Sequence, residues 1–295
     1  MKCIKLCYIR ESRRVSFGRV FREMGMFRKS AKAFLFIFSG AFAFSAFSDA
    51  KVIVVPSPEA KTIGKAMAAA RPGDTVRVLD GVYREAVFVA PGIVFMSDKL
   101  FRAVLDGKGR SNIVTMSTGA VISGFEIRNG TIGVLSSSGQ AVVRQCRITN
   151  NVQSGILCVG ALPKIEDNFI VYNKGSGIQG WDVRTTSGSI NHNTIAFNSN
   201  HGVALGGNTS ITIENNIIAF NDQFGVKPGD EAVRVELTNN NFYQNAKISN
   251  ALPSDNISAD PLFTDAKRFN FNLLSESRCI GMGTDNQNLG SRILH

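Results

Sequence analysis

Between Gln179 and Glu231 the chain collects the side chains that chemistry on a sugar would need. Trp181 is its only tryptophan, and Asp182, Arg184, His201, Lys227, Asp230 and Glu231 follow. An indole face stacks on the apolar face of a pyranose ring, so Trp181, with Gln179 and His201 beside it, could hold a polysaccharide. Two reactions are within reach. In β-elimination on a uronate, a base removes the proton next to a carboxylate, which is feasible once a cation neutralises that carboxylate. Lys227 can be the base and Arg184 the neutraliser, with Asp182, Asp230 and Glu231 as ligands for calcium. A lysine base must shed its charge near neutral pH, which burial or cationic neighbours achieve. In hydrolysis two carboxylates flank the bond, and a separation of roughly 6.5–9.5 Å suits inversion. Asp182 and Asp230 are the pair on offer.

These residues are useful only if the fold gathers them, and a repeat does so. Phe125-Glu-Ile-Arg-Asn129 recurs as Cys146-Arg-Ile-Thr-Asn150, Phe169-Ile-Val-Tyr-Asn173, Thr194-Ile-Ala-Phe-Asn198, Ile217-Ile-Ala-Phe-Asn221 and Asn241-Phe-Tyr-Gln-Asn245. The closing asparagines lie 21, 23, 25, 23 and 24 residues apart. Two further markers keep step. One is a glycine before a branched aliphatic, at Gly133, Gly155, Gly177, Gly202 and Gly225. The other is an amide five positions before the closing asparagine, at Gln145, Asn168, Asn193, Asn216 and Asn240.

A period of this length means a solenoid, propeller or array. Each unit holds short runs of Val, Ile, Phe and Thr broken by Gly, Asn and Ser, with no room for a helix of ten residues. About 23 residues makes one coil of a three-sided parallel β-helix, stacked at the strand spacing of ~4.8 Å. Asparagine tolerates the left-handed backbone of the corners, and stacked amides bond from coil to coil. The repeat asparagines are therefore architecture, not ligands.

Residues at equal offsets in successive coils become neighbours on the outer face. One residue past each Gly-aliphatic pair's aliphatic lie Leu135, Leu157, Gln179, Ala204 and Lys227; three past it lie Ser137, Val159, Trp181, Gly206 and Gly229; four past it lie Ser138, Gly160, Asp182, Gly207 and Asp230. This register puts Trp181 over a floor of Gly206 and Gly207. It sets Asp182 and Asp230 two coils apart, roughly 9–10 Å between backbones. The competing reading is that Trp181 covers a loop and the charges are solvated turn residues.

The repeat resembles the secreted right-handed parallel β-helix proteins of the pectin-lyase-like superfamily. Two flanking stretches add to the resemblance: Lys61-Thr-Ile-Gly-Lys-Ala-Met-Ala-Ala-Ala-Arg-Pro-Gly-Asp-Thr-Val76 with Asp80-Gly-Val-Tyr-Arg-Glu85 before it, and Ala259-Asp-Pro-Leu-Phe263 with Cys279-Ile-Gly-Met-Gly283 after it. The resemblance implies an all-β, right-handed three-sided solenoid acting on acidic polysaccharide, as the pectate lyases, alginate lyases, uronan epimerases and polygalacturonase-like hydrolases of the superfamily do. The Asp-Pro-His-Asp stretch of the alginate epimerases is absent. Lyase-type elimination is the leading expectation. A secreted solenoid that binds cell-surface glycan or protein without catalysis is the second, and an inverting glycoside hydrolase the third.

Residues 1–50 read as a leader. Ten of the 33 Lys and Arg fall in the first 32 residues, an apolar run spans residues 33–47, and Ser48-Asp49-Ala50 offers small residues to a signal peptidase. Translation from Met24 or Met26 would give a leader of ordinary length. The apolar run is short for a membrane span, although an uncleaved anchor is the alternative. Without residues 1–50 the balance is 23 basic against 20 acidic residues, so the excess of +10 belongs to the leader and gives no reason to expect nucleic acid. A secreted, periplasmic or cell-surface monomer follows. Residues 51–295 read as one domain: a cap over 51–75 in which Ile63, Ala66, Met67 and Ala70 share one helical face, coils over 76–247, and a closing segment over 248–295. Cys146 and Cys158 sit at apolar strand positions and read as inward-facing free thiols.

Overall fold

The structure, a computed structural model, describes residues 49–109, 112–184, 188–229, 233–247 and 253–293. Residues 1–48, on which most of the expected leader with Met24 and Met26 falls, as well as Asp230 and Glu231, lie outside the described residues. The chain from Thr75 onward winds as a right-handed parallel β-helix. Each coil visits three sheets in the same order, and the sheets hold nine, eight and seven strands.

The first sheet runs from Val52–Val55 through Thr75–Val78 to Val233–Thr238, the second from Gly81–Tyr83 to Asn241–Tyr243, and the third from Val87–Val89 to Val226–Pro228. Apolar residues of each strand point inward and stack on their counterparts in the next coil. The three columns are Ile122, Val143, Ile165, Ile190 and Ile213; Ile127, Ile148, Ile170, Ile195 and Ile218; and Val134, Ile156, Ile178, Val203 and Val226. All are buried. Branched aliphatics suit the pleat and contribute on the order of 1.5–3 kcal/mol each when fully buried.

Two asparagine ladders hold the corners. Between the second and third sheets Asn151, Asn173, Asn198, Asn221 and Asn245 stack; the Asn173 side-chain amide donates to Asn198 Oδ1 at 3.0 Å and to the Ile148 carbonyl at 3.1 Å. Between the first and second sheets Asn168, Asn193, Asn216, Asn240 and Asn256 do the same. The expected columns need correcting in their first members. Asn129 and Asn150 precede the ladder positions, which are Gly130 and Asn151, and Gln145 precedes Cys146, whose N–H donates to Asn168 Oδ1 at 2.9 Å.

The two jobs given to asparagine are in fact split between adjacent residues. The ladder residue bonds, while the residue before it takes the left-handed backbone: Asn129, Asn150, Tyr172, Phe197, Phe220 and Gln244 at φ of 45–58°. Bulky rings are costly there. Stacking offsets the cost, with ring centroids 5.0 Å apart for Tyr172 and Phe197 and 4.8 Å for Phe197 and Phe220. The glycine column has a different origin. A Cβ on Gly177 would lie 2.7 Å from the Gly202 carbonyl oxygen and 2.8 Å from Ile195 Cγ2, so the coils close only over glycine.

The helix Ile63–Ala69 covers the first coil with Ile63 and Ala66 buried and Met67 and Ala70 packed beside them. Thr62 caps it, accepting from the Lys65 N–H at 3.2 Å. At the far end Asn256 adds a rung to the ladder, and the Phe242 N–H donates to the Ile257 carbonyl at 2.9 Å. From Phe263 onward the chain turns back along the outer face of the second sheet. The reason is the row of rings presented there. Phe271 stacks on Phe169 at 5.3 Å and Phe269 meets Tyr172 edge-on at 5.6 Å. Arg292 pairs with Asp167, and Arg147 lies between Phe101 and Phe269, 4.9 Å from each centroid.

Candidate functional site

The outer face of the third sheet is not covered in this way. Its register places Leu135, Leu157, Gln179, Ala204 and Lys227 in one column, as the offsets indicate. The next column does not follow them. Val159 faces Trp181, but between Gly180 and Val183 the strand Ser176–Val183 takes one extra residue relative to Val203–Gly207, so Val183, not Asp182, faces Gly207. Asp182 carries the bulge at φ 50°. Bulges re-aim side chains and recur beside functional sites. A Cβ on Gly207 would stand 2.3 Å from the Val183 carbonyl oxygen, which accounts for glycine opposite the bulge.

The bulge lifts Trp181 to 54% exposure at the wall of a cleft of about 450 Å³. Gln179, Asp182, His201 and Lys227 line the cleft with it, over a floor that includes Gly206, Gly207 and Gly229. Arg184 does not line it. Its Nε donates to Asp182 Oδ1 at 2.9 Å, and both side chains are well exposed. That pair is worth little in stability. It also commits the one described carboxylate of the cleft to an arginine. Among the described residues no group of three His, Cys, Asp or Glu side chains comes close enough to hold a metal ion.

His201 is fixed from behind. Its Nδ1 accepts from the Phe224 N–H at 3.2 Å, its ring lies 5.7 Å from that of Phe224, and Lys247 Nζ stands 5.6 Å over the Phe224 ring. Burial pushes its pKa down, and Lys227 and Lys247 push it further in the same direction. Phe224 and, beyond it, Lys247 are neighbours of His201 that sequence reasoning missed. Their signal was present in the repeat: Phe224 precedes the Gly225 marker as His201 precedes Gly202, which makes the two side chains coil neighbours.

A second cavity, of about 390 Å³, lies under the returning C-terminal segment and is lined by Thr194, Ile217, Phe271 and Arg292. Its cation is already paired with Asp167 and bonded to Gln287 Oε1 at 3.2 Å. The cysteines are elsewhere. Cys146 and Cys158 are free and fully buried among the inward columns, and burial pushes both thiols up to about 12.

The family model described as right-handed β-helix region matches residues 111–260, half of the chain, and the protein belongs to that family. Among solved structures the chain is similar to the pectate lyase Pel9A, with 14% identity and a TM-score of 0.59 over 85% of this chain and 98% of that one. It is also similar to a mannuronic-acid-specific polysaccharide family 6 lyase from human gut microbiota, with 14% identity, a TM-score of 0.46 and coverage of 66% and 54%. At such identities the likeness is one of fold. A comparison with curated proteins gives no match. No helix among the described residues is long and apolar enough to cross a membrane.

Proposed function

We propose that this chain is an exported β-helix protein that takes an acidic, uronate-containing polysaccharide on its third sheet and cleaves it by β-elimination. The observation that carries the proposal is the cleft itself: an exposed indole beside a glycine floor, with Lys227 and His201 on the lining and Lys247 behind. The ring suits a sugar face, the glycines leave room for a flat chain, and the cations suit a polyanion. That the pectate lyase Pel9A has this fold supports the same class of substrate.

In this reading Lys227, in its neutral form, takes the proton from the carbon next to the uronate carboxylate. The electron pair becomes a carbon–carbon double bond as the bond to the glycosidic oxygen breaks, and that oxygen leaves with a proton from water. Trp181 and Gln179 hold the ring being cut. Arg184 is engaged with Asp182 and Lys227 serves as the base, so neither neutralises the carboxylate. Calcium, with Asp182, Asp230 and Glu231 as ligands, is one means and is tested directly.

The test is incubation of the protein with a panel of pectate, alginate and other uronate polymers, with and without calcium or a chelator. Absorbance of the unsaturated product and new reducing ends are followed together. Unsaturated ends confirm elimination. Reducing ends without unsaturation would transfer the reaction to Asp182 and Asp230 as a hydrolysing pair. Binding without either product would leave a glycan-binding scaffold, a reading that the exposure of Trp181 favours.

A further inference from the structure

His201 has a role that follows from how it is held. Imidazole has two nitrogens, and in the neutral ring one donates while the other accepts. The Phe224 N–H has no choice but to donate, and it donates to Nδ1 at 3.2 Å. Nδ1 must then be the unprotonated nitrogen, and the proton of the neutral ring sits on Nε2. This removes His201 as a proton acceptor: one nitrogen is occupied by an amide and the other already bears hydrogen. It leaves a donor on a ring that lines the cleft.

The charges around it act in the same sense. Lys227, in the neighbouring strand, and Lys247, over the Phe224 ring, both oppose an imidazolium, and partial burial does so more strongly. Asp182 is the described carboxylate on the cleft lining, and it is taken by Arg184. An imidazolium there would be opposed by both lysines. A neutral donor there adds direction without adding repulsion.

We propose that His201 is a specificity residue of the cleft, held by the Phe224 amide as the Nε2–H tautomer and donating that proton to a carboxylate oxygen of the bound polymer. The proposal deepens the reading of the cleft as a site for acidic polysaccharide and rests on it. A carboxylate that accepts from a fixed neutral N–H is recognised by direction as well as by charge, because the planar imidazole sets the line of approach. The same site gives an esterified or reduced uronate no comparable partner.

The chain has three histidines, so side-chain nitrogen spectra of the full protein are simple to read, and His201→Gln assigns the resonance. Without ligand at about pH 8, His201 is expected as the Nε2–H tautomer. The Nδ1–H tautomer, or an imidazolium, overturns the proposal and leaves the function of the cleft untouched. A uronate trimer should then shift the Nε2 signal, whereas the trimer with its carboxyls reduced to alcohols should not. Equal shifts from both trimers would overturn the carboxylate contact. His201→Leu should weaken binding of the uronate trimer about tenfold or more, and His201→Gln, whose amide can donate from a similar position, should recover most of it. Unchanged trimer binding in His201→Leu overturns the contact, whereas absence of any trimer binding in the native protein counts against the cleft itself.

Discussion

The second and third sheets are built from the same coils, yet their outer faces have opposite fates. The second sheet presents a file of rings at its corner, and the chain's own C-terminal segment returns to cover them: Phe271 on Phe169, Phe269 against Tyr172, Arg292 on Asp167. The third presents one indole, raised by a bulge, and nothing of the described chain lies over it. On the covered face charges meet partners of fixed geometry, as where Arg128 Nη1 meets Glu126 Oε1 at 2.7 Å. On the open face Lys227 and Lys247 have no carboxylate among the described ion pairs. A face that satisfies itself contributes stability, and a face that leaves cations and an aromatic ring unsatisfied is where a polyanion gains most.

Substitutions should separate the two faces cleanly. The largest effect on folding is expected for Phe271→Ala, which empties a buried ring site and should cost about 3–5 kcal/mol in urea denaturation. Whatever fraction remains folded should still bind uronate oligomers. The largest effect on chemistry is expected for Lys227→Ala, with a loss of unsaturated-product formation of about 10²-fold or more and a denaturation midpoint close to that of the native protein. If Lys227→Ala retains full activity, the base lies elsewhere and the open face is a binding surface. Trp181→Ala comes next. It should weaken polymer binding about tenfold and change stability by no more than about 0.5 kcal/mol, as seen by affinity electrophoresis and denaturation run in parallel.

The smallest effect sharpens the covered face through pH. His192 is buried beside Asp167 and Arg292, and its Nδ1 has no hydrogen-bond partner. Burial, and then Arg292, hold its pKa below the ordinary value of 6.5, against the pull of Asp167. Folding therefore favours the neutral ring. Its contribution is fully present above pH 6.5 and is lost as pH falls through the lowered value, because the unfolded chain takes the proton first. The urea midpoint of the native protein should drop between about pH 7 and about pH 5, and His192→Gln should flatten that drop. An equal slope in both proteins would place the pH dependence elsewhere.

Much of this was legible in the sequence because a solenoid turns spacing into adjacency. The column ending in Lys227 could be counted out from five glycines, and the helix over residues 63–69 from four apolar positions. Where counting failed, a single residue was responsible. The extra residue at the bulge displaced Asp182 from the column of Gly207, and adjacent asparagines at 150 and 151 hid which one stacks. The covering of the second sheet was not legible, because a ring at Phe197 or Phe220 looks like core until its left-handed backbone turns it outward. Lys247 escaped for a different reason: it stands over the Phe224 ring of a neighbouring coil, and no offset rule reports that.

The ladders set where this molecule can vary. From each first-corner asparagine to its second-corner partner the count is always five, at 168 and 173, 193 and 198, 216 and 221, 240 and 245, and the glycine follows four later at 177, 202 and 225. From Asn151, Asn173, Asn198 and Asn221 to the next first-corner rung the counts are 17, 20, 18 and 19. All the slack in the coil is thus confined to the passage through the third sheet and the turn that leaves it. One loop can lengthen or shorten there without moving any rung above or below. The rim of the cleft is the part of the chain that descent can rewrite most freely, and a new sugar could be accommodated by changing a turn while the rod stays the same.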